Sequence, residues 1–474
     1  MRTDAQLKRK SSIYTDSETY LQAIITYERR KPLKVFLAVF LCKILYFIGK
    51  RVGKGSSLPG KVVLRVFPDV LGRLRLPENI IAVTGSNGKT TTAELIVHAL
   101  RENGKRTECN FEGSNQTEGV ATLLLRIASF GGKVNCDAIV IECDERYAKR
   151  IFEKVRPSVL LITNLCRDQL TRNGHPEFIE DCLRAAVAAA GDEVRLVMNA
   201  DDPYVAALAD KGTVHVSWFG IAPVNSGKQG GGMYDDGAFC PVCKARMAYS
   251  YRIAGHYGRY ECAVCGLHRC KADVEAAVEM PDILSFGDDI KMRVKLPGIT
   301  SAYNFCAAVA ASSAVGVSVS DSVKALDGYG LTSGRVTSLP VGGDDSLLLL
   351  SKHENSFAYD RSLSWILEQK KPCTVIVLVN AISRKYYTSE TSWLWDIDFD
   401  LLADEHVKKV VLAGRYVNEL AMRFEMSSVD NSKIVRNTDL SGLRECVENN
   451  AVGCIYAVTC FSDKATLMKA LGGN

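Results

Sequence analysis

A run of nine residues, Thr84–Thr92, places glycines, a lysine and threonines between an apolar segment and a helix-like one. Glycines allow the backbone to curl until several N–H groups face one point, and the start of a helix adds partial positive charge there. Such a loop is suited to phosphate, with Lys89 on the β- and γ-phosphates and the Thr90 hydroxyl on Mg²⁺. The general motif has a glycine at position 83, where this chain has valine. The residues predicted to bind nucleotide here are Gly85, Ser86, Asn87, Gly88, Lys89, Thr90 and Thr91.

The strand-like segment DAIVIE ends in Glu142 and is followed by Asp144 and Glu145. The carboxyl ends of parallel strands gather beside the phosphate loop, and nucleotide-bound Mg²⁺ requires hard oxygen ligands there. We therefore predict Glu142 as a magnesium ligand. Asp144 and Glu145 are also consistent with a solvated acidic loop. A second polar cluster, which includes Asp168, follows the strand-like segment VLLITN.

Two CxxC pairs, Cys240 with Cys243 and Cys262 with Cys265, are separated by eighteen residues. Each pair can form a tight turn that aims two thiolates at one tetrahedral centre, so the spacing predicts a structural zinc ribbon. Disulfides are the less favoured alternative. The chain has sixteen cysteines in all, and most of the others lie in apolar segments. Free buried thiols in a reducing cytosol are the simplest interpretation of that pattern.

Three weaker signals stand farther along the chain. Tyr303 and Asn304 open a helix of small residues, where an asparagine can hydrogen-bond an adenine edge and a tyrosine can stack on it. Arg335, in a glycine-rich break, suits a bidentate phosphate contact from the following domain. Trp393 and Trp395 stand among acidic residues, which indicates either a docking surface or an aromatic corner of the core.

The rest of the chain must position these residues. Its 474 residues include 59 Lys or Arg and 54 Asp or Glu, a net charge of +5. That balance excludes a strongly basic nucleic-acid coat and an acidic disordered tail. Strand-like and helix-like segments alternate from Asn79 onward, as in parallel sheets with crossover helices. The alternation breaks in the cysteine-rich segment, resumes at Ala302 and continues in a second, smaller set of strands. The sequence thus predicts an α/β protein of two to four domains.

The N-terminal region has a different composition. Residues 33–49 form an apolar stretch with basic residues at both ends, interrupted by Lys43. Its uncharged runs are short for a bilayer span, which takes about 20 apolar residues. Two interpretations remain. One is an interfacial amphipathic helix that rests on anionic lipid, and the other, slightly favoured, is a helix packed on its own domain.

Taken together, these motifs resemble the Mur ligase superfamily and, within it, the MurT branch. The phosphate loop alone points to the superfamily, whereas the cysteine ribbon, RDQL and SWLWD indicate the branch. The segments that carry the resemblance are SSLPGKV at 56–62, VTGSNGKTTT at 83–92, NFEGSNQTEGVATLLL at 110–125, IECDE at 141–145, ITNLCRDQL at 162–170, NADDP at 199–203, YN at 303–304, SGR at 333–335 and TSWLWDIDFD at 391–400.

The resemblance implies a fold. We expect a Mur ligase-like central P-loop ATPase domain with a parallel sheet and an inserted Cys₄ zinc ribbon, followed by a smaller Rossmann-like α/β domain. A tail with a basic, apolar helix occupies 1–54, and the central domain occupies 55–334, with the ribbon at about 236–272. The C-terminal domain, of a type that docks a glutaminase, occupies 335–474.

The resemblance also implies an activity. Mur-type ligases use ATP to phosphorylate a carboxylate, and an amine then displaces phosphate from the acyl phosphate. In the MurT branch the carboxylate is the α-carboxyl of D-glutamate in lipid II, and a separate GatD-type glutaminase supplies ammonia. The product is D-isoglutamine, in peptidoglycan synthesis. The implied cofactors are ATP, Mg²⁺ and structural Zn²⁺. The implied location is the cytoplasm, at the inner face of the membrane if residues 33–54 contact lipid, and no nucleic-acid partner is expected.

The resemblance assigns roles by position. Asn304 contacts adenine, Arg335 reaches the nucleotide from the C-terminal domain, and Asp168 matches the family's aspartate after the strand. Glu390 stands where the family lends an aspartate to the glutaminase Cys-His pair, and a glutamate can orient a histidine through a longer stem. The catalytic residues implied in this way are Lys89, Glu142, Asp168 and Glu390, and the magnesium ligands are Thr90 and Glu142.

Departures from the family pattern keep two alternatives open. Lys352 matches the family's lysine at a strand end, but the following HENSF differs from the usual Asn-Pro-x-Gly-Phe, and the Asp-rich stretch before SWLWD is missing. The chain could be a Mur-like ligase that acts on another carboxylate without a glutaminase. It could also be a nucleotide-binding wall-synthesis protein without turnover, although the phosphate loop and Glu142 argue against that.

Overall fold

The computed structural model describes residues 32–51, 53, 55–111, 114–209, 215–223, 235–280, 282–295, 298–330, 336–343, 345–381 and 390–473. Within these residues, strands form a large sheet, a smaller sheet and a two-stranded hairpin. The prediction of an α/β fold with a central domain and a smaller C-terminal domain is confirmed.

The central domain is built on a nine-stranded sheet, with a separate hairpin inserted near its end. The strands of these two sheets are β1 (Asn79–Thr84), β2 (Thr107–Cys109), β3 (Ala138–Glu142), β4 (Val159–Ile162), β5 (Arg195–Asn199), β6 (Val216–Ile221), β7 (Ala248–Ala254), β8 (Tyr257–Glu261), β9 (Val274–Met280), β10 (Ile283–Phe286) and β11 (Ile290–Arg293). The large sheet has the order β11-β10-β9-β6-β5-β4-β1-β3-β2. It is parallel from β2 to β9, and β10 and β11 extend its edge in antiparallel pairing.

Helices cover both faces of the large sheet. They are α1 (Pro32–Arg51), α2 (Leu58–Val66), α3 (Lys89–Glu102), α4 (Thr117–Ile127), α5 (Glu145–Phe152), α6 (Leu170–Asn173), α7 (Pro176–Ala190), α8 (Pro203–Ala206), α9 (Ile299–Ala314) and α10 (Val319–Leu326). Helices α3, α9 and α10 bury one face, and α1, α2, α4, α5 and α7 bury the other. Along β1, Ile80 and Ala82 face one apolar core while Ile81 and Val83 face the other, which explains why the strand is apolar throughout.

The C-terminal domain repeats this design on a smaller scale. Its elements are β12 (Val336–Ser338), β13 (Leu347–Ser351), α11 (Ser356–Glu368), β14 (Cys373–Leu378), β15 (Val407–Ala413), α12 (Val417–Glu425), β16 (Ile434–Asn437), α13 (Leu443–Asn450), β17 (Cys454–Cys460) and α14 (Lys464–Ala470). The six strands have the order β12-β13-β17-β14-β15-β16, and only the β12–β13 pair is antiparallel. The carboxyl end of β13 faces the central domain, and the loop after it enters the site described below.

Helix α1 is the one helix of the described residues that is long and apolar enough, by length and composition, to cross a membrane. One of its faces packs on the central domain, where Val35, Ala38 and Val39 join the same apolar core as Val63 of α2 and Leu124 of α4. One face of α1 is therefore packed on its own domain, as the slightly favoured interpretation of this segment expected. Its other face is exposed.

Candidate active site

The phosphate loop connects β1 to the first turn of α3 and is held in a conformation that only glycine fits. Gly85 and Gly88 have φ angles of +123° and +82°, which other residues rarely adopt. A Cβ atom at Gly85 would lie 2.3 Å from Thr163 Oγ1, and one at Gly88 would lie 2.2 Å from Asn304 Oδ1. The two glycines therefore allow the loop to lie directly against polar side chains of the segment after β4 and of α9.

The loop after β4 fixes the phosphate loop from the other side. The backbone N–H of Asn87 donates to Asn164 Oδ1 at 2.9 Å, and the Asn87 carbonyl accepts from Thr163 Oγ1 at 2.7 Å. Ser86 Oγ and the backbone of Cys166 exchange two hydrogen bonds of 3.1 Å. The side chains of Ser86 and Asn87 thus hold the loop in place. We infer that phosphate contacts here fall mainly to the backbone.

The Lys89 side chain folds back over its own loop. Its Nζ donates to the carbonyl oxygens of Gly85 and Ser86 and lies 2.6 Å from Glu145 Oε1. Burial by itself would lower the pKa of Lys89, but the carboxylates of Glu145 and Asp168 more than offset this and raise it. Lys89 is thus a buried and permanently charged ammonium group at the start of α3, as a phosphate-binding lysine must be.

Glu142 ends β3, in register with Val83 beside the phosphate loop. Its side chain is 7% exposed. Asn110 clamps its main chain, accepting from the Glu142 N–H at 2.9 Å and donating to its carbonyl at 3.0 Å. Asn115 Nδ2 lies 3.3 Å from Glu142 Oε1. Neutral amide groups thus hold this carboxylate at the strand end, an arrangement suited to a metal ligand.

The two acidic residues after β3 do not form a solvated loop. Asp144 and Glu145 are only 3% and 4% exposed. Asp144 caps α5 and forms an ion pair with the guanidinium of Arg172, and Glu145 pairs with Lys89. The interpretation as a solvated acidic loop is therefore wrong for both residues, because each carboxylate has a cationic partner that permits its burial.

Asp168 joins the two domains. Lys352 Nζ lies 3.2 Å from its Oδ2, and Asn355 Nδ2 lies 2.7 Å from its Oδ1. The same two side chains reach the phosphate loop, where Lys352 donates to the Ser86 carbonyl at 2.6 Å and Asn355 donates to Asn87 Oδ1 at 3.0 Å. The residues that follow β13 therefore close over the loop and bring a second lysine to it.

A cleft of about 160 Å³ lies between the phosphate loop and α11. Asn304 forms part of its wall, where its Oδ1 accepts from Thr92 Oγ1 at 3.3 Å. Thr91, in the first turn of α3, also lines the cleft, and Thr90 beside it is half-buried. The structure thus brings Asn304 and the phosphate loop together. Arg335 lies outside the described residues, and its phosphate contact stays a prediction.

Helix α11 contributes cleft residues that no motif in the sequence indicates. Phe357, Arg361 and Trp365 line the cleft at intervals of four residues, which places them on one face of the helix. Arg361 Nε and Trp365 Nε1 are buried and have no hydrogen-bond partner within the described part of the chain. Buried donors without a partner are rare, and ribose or phosphate oxygens of a nucleotide would satisfy them. The four-residue spacing of these three side chains, just after Lys352, is the sequence signal that could have identified them as cleft residues.

Tyr303 has a structural role instead of stacking on adenine. Its ring is buried, and its hydroxyl donates to Asp201 Oδ2 at 2.8 Å. The ring also meets Tyr257 edge-on, with centroids 5.4 Å apart. The bond to a buried carboxylate keeps Tyr303 in the interior, one position before the asparagine that lines the cleft.

The tip of the β7–β8 hairpin supports the site from behind. The Gly258 N–H donates to the Asp201 carbonyl at 2.9 Å, and His256 Nε2 lies 3.4 Å from Asp202 Oδ1. Asp202 Oδ2 in turn accepts the N–H of Leu165 at 2.8 Å, in the loop after β4. The ribbon is thus connected, through two buried aspartates, to the segment that holds the phosphate loop.

The four ribbon cysteines converge on one point. Cys240 Sγ lies 3.5 Å from Cys265 Sγ, Cys243 Sγ lies 3.4 Å from Cys262 Sγ, and all four sulfur atoms are within 4.8 Å of one another. All four are free thiols, so the disulfide alternative is not supported. Backbone N–H groups at positions 265 and 264 lower the pKa of Cys262, whereas desolvation raises the pKa of Cys240, so Cys262 is the thiol that most readily becomes the thiolate a metal ion requires.

The aromatic segment near residue 393 divides between the two interpretations that the sequence left open. Trp393 is 3% exposed and packs in the C-terminal core, whereas Trp395 is 44% exposed. Glu390 is exposed, and its carboxylate accepts the N–H of Ser392 at 2.8 Å. The side chain and the backbone N–H of Ser392 both lower the pKa of Glu390, which is a surface carboxylate five residues before the exposed tryptophan.

Two family sequence profiles match the chain. The Mur ligase middle domain profile matches residues 83–312, and the MurT ligase C-terminal profile matches residues 352–462. The first match contains the phosphate loop, the ribbon and Asn304. The second contains the loop with Lys352 and the aromatic segment.

Curated relatives match over most of their length. The chain is 28% identical to subunit MurT of lipid II isoglutaminyl synthase (glutamine-hydrolyzing) from Streptococcus pneumoniae, over 91% of this chain and 95% of the relative. It is 27% identical to the Staphylococcus aureus protein of the same name, over 85% and 90%.

Solved structures support the fold. A pseudomurein peptide ligase type C from Methanothermus fervidus superposes with a TM-score of 0.66 at 20% identity, covering 84% of this chain and 80% of that chain. MurF from Acinetobacter baumannii gives 0.60 at 18% identity, over 85% and 80%.

Proposed function

Because the chain belongs to the Mur ligase family and carries a MurT-type C-terminal domain, we propose that it amidates the D-glutamate α-carboxyl of lipid II to D-isoglutamine. As a member of that family it is an ATP-dependent ligase. The similarity to curated subunits of lipid II isoglutaminyl synthase supports the substrate and a role in peptidoglycan synthesis. The observation that carries the proposal is the junction where the phosphate loop, Glu142 and the Asp168–Lys352 pair meet.

In the proposed reaction, a carboxylate oxygen of the substrate attacks the γ-phosphorus of ATP, and ADP leaves. The product of this step is an acyl phosphate. Ammonia then attacks the acyl carbon and loses a proton, and inorganic phosphate leaves with the electron pair of the broken C–O bond. Catalysis is chiefly electrostatic, because negative charge gathers on the transferring phosphoryl group.

Two lysines supply positive charge to that group. Lys89 reaches the phosphates when its ammonium exchanges the carbonyls of its own loop for phosphate oxygens, while Glu145 keeps it charged. Lys352 approaches from the C-terminal domain and is oriented by Asp168. Closure of the two domains thus completes the phosphate site, and Asp168 acts by positioning Lys352.

Thr90 and Glu142 are the residues that would hold Mg²⁺. Glu142 is a buried carboxylate at a strand end beside the phosphate loop, and Thr90 stands in the first turn of α3, so hard oxygen ligands are present where the phosphates would lie. The ion, when bound, neutralises phosphate charge. Asn304, Arg361 and Trp365 would hold the base and ribose in the adjoining cleft.

The four ribbon cysteines would hold a structural Zn²⁺. Four converging sulfur atoms form a closed site, and such sites stabilise folds without taking part in chemistry. Metal analysis of the purified chain should find zinc, and Cys240→Ser should remove it and lower the thermal midpoint by several degrees. Cys446→Ser, at a thiol outside the cluster, is the matched control and should leave both unchanged. A zinc-free wild-type chain with an unchanged midpoint would refute the site.

We further propose that a GatD-type glutaminase supplies ammonia and docks on the C-terminal domain. The curated relatives are named as subunits of a glutamine-hydrolysing synthase, which supports a partner of this kind. The exposed Trp395 with Glu390 is the proposed contact, with Glu390 in place of the family's aspartate. The proposed location is the cytoplasm, where ATP and the lipid II head group are both accessible.

The proposal is tested by amide formation on lipid II in detergent micelles. The purified chain receives ATP, Mg²⁺ and ammonium without any glutaminase, and the product is weighed by mass spectrometry. We expect the mass change from carboxyl to amide together with release of ADP and phosphate. Reactions without ATP or without ammonium serve as controls.

A negative result in the same assay would also be informative. Binding of ATP without amidation would refute lipid II as the substrate. ATP hydrolysis stimulated by a different carboxylate would then favour a Mur-like ligase without a glutaminase, the alternative suggested by the altered segment after Lys352.

A further inference from the structure

Helix α1 has two apolar faces, and the described residues cover only one of them. Val35, Ala38, Val39 and Cys42 are buried against the central domain. The other face is apolar as well, and its side chains are between 40% and 61% exposed. These exposed residues are Leu33, Phe36, Leu37, Phe40, Ile44, Phe47 and Ile48.

The exposed residues form one continuous stripe along the helix. At about 3.6 residues per turn, their positions fall on the side opposite to the buried set. Lys34 borders the stripe on one side, and Lys43 and Lys50 border it on the other. The Arg51 guanidinium lies 3.7 Å from the Phe47 ring centroid, so this positively charged side chain covers part of the apolar stripe.

The surrounding charge has a single sign. Residues 32–67 contain seven Lys or Arg and no Asp or Glu, which is more positive charge than the net +5 of the whole chain. Helix α2, which shares a core with α1, also exposes apolar and basic side chains: Leu58 and Val66 are 42% and 57% exposed, and Lys61 and Arg65 are exposed as well. We refer to the exposed sides of α1 and α2 together as the basic apolar face.

We propose that the basic apolar face rests in the interface of an anionic lipid bilayer, with α1 parallel to the membrane plane. An apolar stripe bordered by lysines is the pattern of helices that bury one side in the acyl boundary. Anionic head groups complement the basic residues of α1 and α2, each of which contributes attraction near the surface. Because its opposite face is part of the protein core, α1 does not cross the bilayer in this arrangement.

The position of α1 suits a substrate that is itself anchored in lipid, a step that rests on the proposed function. Tyr46, on α1, lines a small cavity together with Asn110 and Ser114. Asn110 is the residue that clamps the main chain of Glu142. A bilayer on the basic apolar face would therefore be separated from the carboxyl end of β3 by helix α1 and this cavity.

The test is sedimentation of the full chain with vesicles of phosphatidylcholine, alone or mixed with phosphatidylglycerol. We expect binding to the mixed vesicles that weakens as salt is added. The triple variant Phe36→Ser, Phe40→Ser and Phe47→Ser should bind at least about tenfold more weakly, because it loses the apolar part of the face. Lys34→Gln and Lys50→Gln should each weaken binding roughly fivefold.

A matched control changes three exposed apolar residues elsewhere. Val264, Met422 and Met426 are 74%, 60% and 73% exposed, and their joint replacement by serine should leave vesicle binding unchanged. Since all six residues are exposed, both triple variants are expected to fold. Thermal melting of each variant checks this before the binding measurement.

Three results would overturn the proposal. Equal vesicle binding by the wild type and the phenylalanine variant would show that the face does not contact lipid. Self-association that the variant abolishes, without vesicle binding by the wild type, would assign the face to a second copy of the chain. Resistance of the vesicle-bound protein to alkaline carbonate extraction would indicate a spanning helix.

The same variants separate this proposal from the proposed function. The phenylalanine variant should amidate lipid II in detergent micelles at the wild-type rate and lose activity when the lipid is supplied in vesicles. Absence of vesicle binding with intact amidation in micelles would refute the membrane face alone. Vesicle binding without any amidation would refute the proposed function alone.

Discussion

The two domains contribute to one cleft in different ways. In the central domain, the phosphate loop and its lysine lie within a few consecutive residues, and their geometry follows from two glycines and the start of a helix. The C-terminal domain contributes Lys352 and Asn355, which reach Asp168 across more than 180 positions of the chain. The first contribution is local and present in one domain, whereas the second exists only while the domains are in contact. One of the two lysines at the phosphate site is therefore present only when the domains are closed.

The largest effect should come from the lysine of the loop itself. Lys89→Ala removes the only ammonium that the central domain places in the loop among the described residues, and ATP turnover should fall by roughly a thousandfold or more. The measurement is ADP release in the amidation assay. Turnover comparable to that of the wild type would mean that the C-terminal lysine alone suffices. The C-terminal domain, and not the central domain, would then supply the essential positive charge.

Loss of Lys89 also leaves the buried Glu145 without its cation, which by itself destabilises the fold. The double variant Lys89→Ala with Glu145→Ala removes that uncompensated charge. We expect it to recover thermal stability but not turnover. Recovery of both would show that the single variant had failed only through misfolding.

Loss of the lysine from the C-terminal domain should lower turnover less than loss of Lys89 does, but more than loss of an ordinary surface lysine. Lys352→Ala should lower turnover about a hundredfold, because one of two positive charges at the phosphate site is lost. ATP binding, measured by calorimetry, should change much less, since the phosphate loop is intact. Lys371→Ala is the matched control, because Lys371 forms an exposed ion pair with Asp345 in the same domain. Equal effects of the two variants would contradict the assigned role of Lys352.

The cleft provides a third and smaller test of the C-terminal contribution. Trp365→Ala removes an aromatic wall of the cleft and should raise the KM for ATP about tenfold with little change in kcat. Trp395→Ala replaces a tryptophan outside the cleft that is 44% exposed, and it should leave the KM unchanged when ammonium is the nitrogen source. If both variants had the same KM as the wild type, the nucleotide would bind elsewhere.

The comparison also explains which parts of the site could be predicted from sequence. Gly85, Gly88 and Lys89 act through local backbone geometry, and the four cysteines act through the geometry of two short turns, so their spacing carries the information. The order of apolar and polar segments likewise indicated both parallel sheets. These features depend on residues that are near one another in the chain.

The remaining parts depend on contacts between distant segments. Asn355 follows a strand in a segment that departs from the family pattern, and its role is visible only where it meets Asp168 and Asn87. The burial of Asp144 could not be foreseen because Arg172, its partner, lies in another helix. The sequence alone does not show which cations pair with an acidic run, so such a run is expected to be exposed to solvent.

Three buried acids illustrate a last contrast between the two domains. In the central domain, the buried carboxylates of Glu145 and Asp144 each meet a cation, Lys89 and Arg172. In the C-terminal domain, Asp360 of α11 is 6% exposed, and its carboxylate accepts a backbone N–H at 2.8 Å. Burial raises the pKa of Asp360 to about 7, although that hydrogen bond acts in the opposite direction.

The raised pKa of Asp360 makes the stability of the chain depend on pH. Between its ordinary value of 3.8 and about 7, the folded chain holds a proton that the unfolded chain has lost, so the free energy of unfolding decreases as pH rises through that window. Asp360→Asn removes the buried charge and should raise the thermal midpoint by a few degrees at about pH 8 and by little at about pH 5. Glu445→Gln, at an exposed acid of the same domain, should shift neither. An equal gain for Asp360→Asn at both pH values would show that the Asp360 carboxyl is ionised at both, and its pKa would then not be raised by burial.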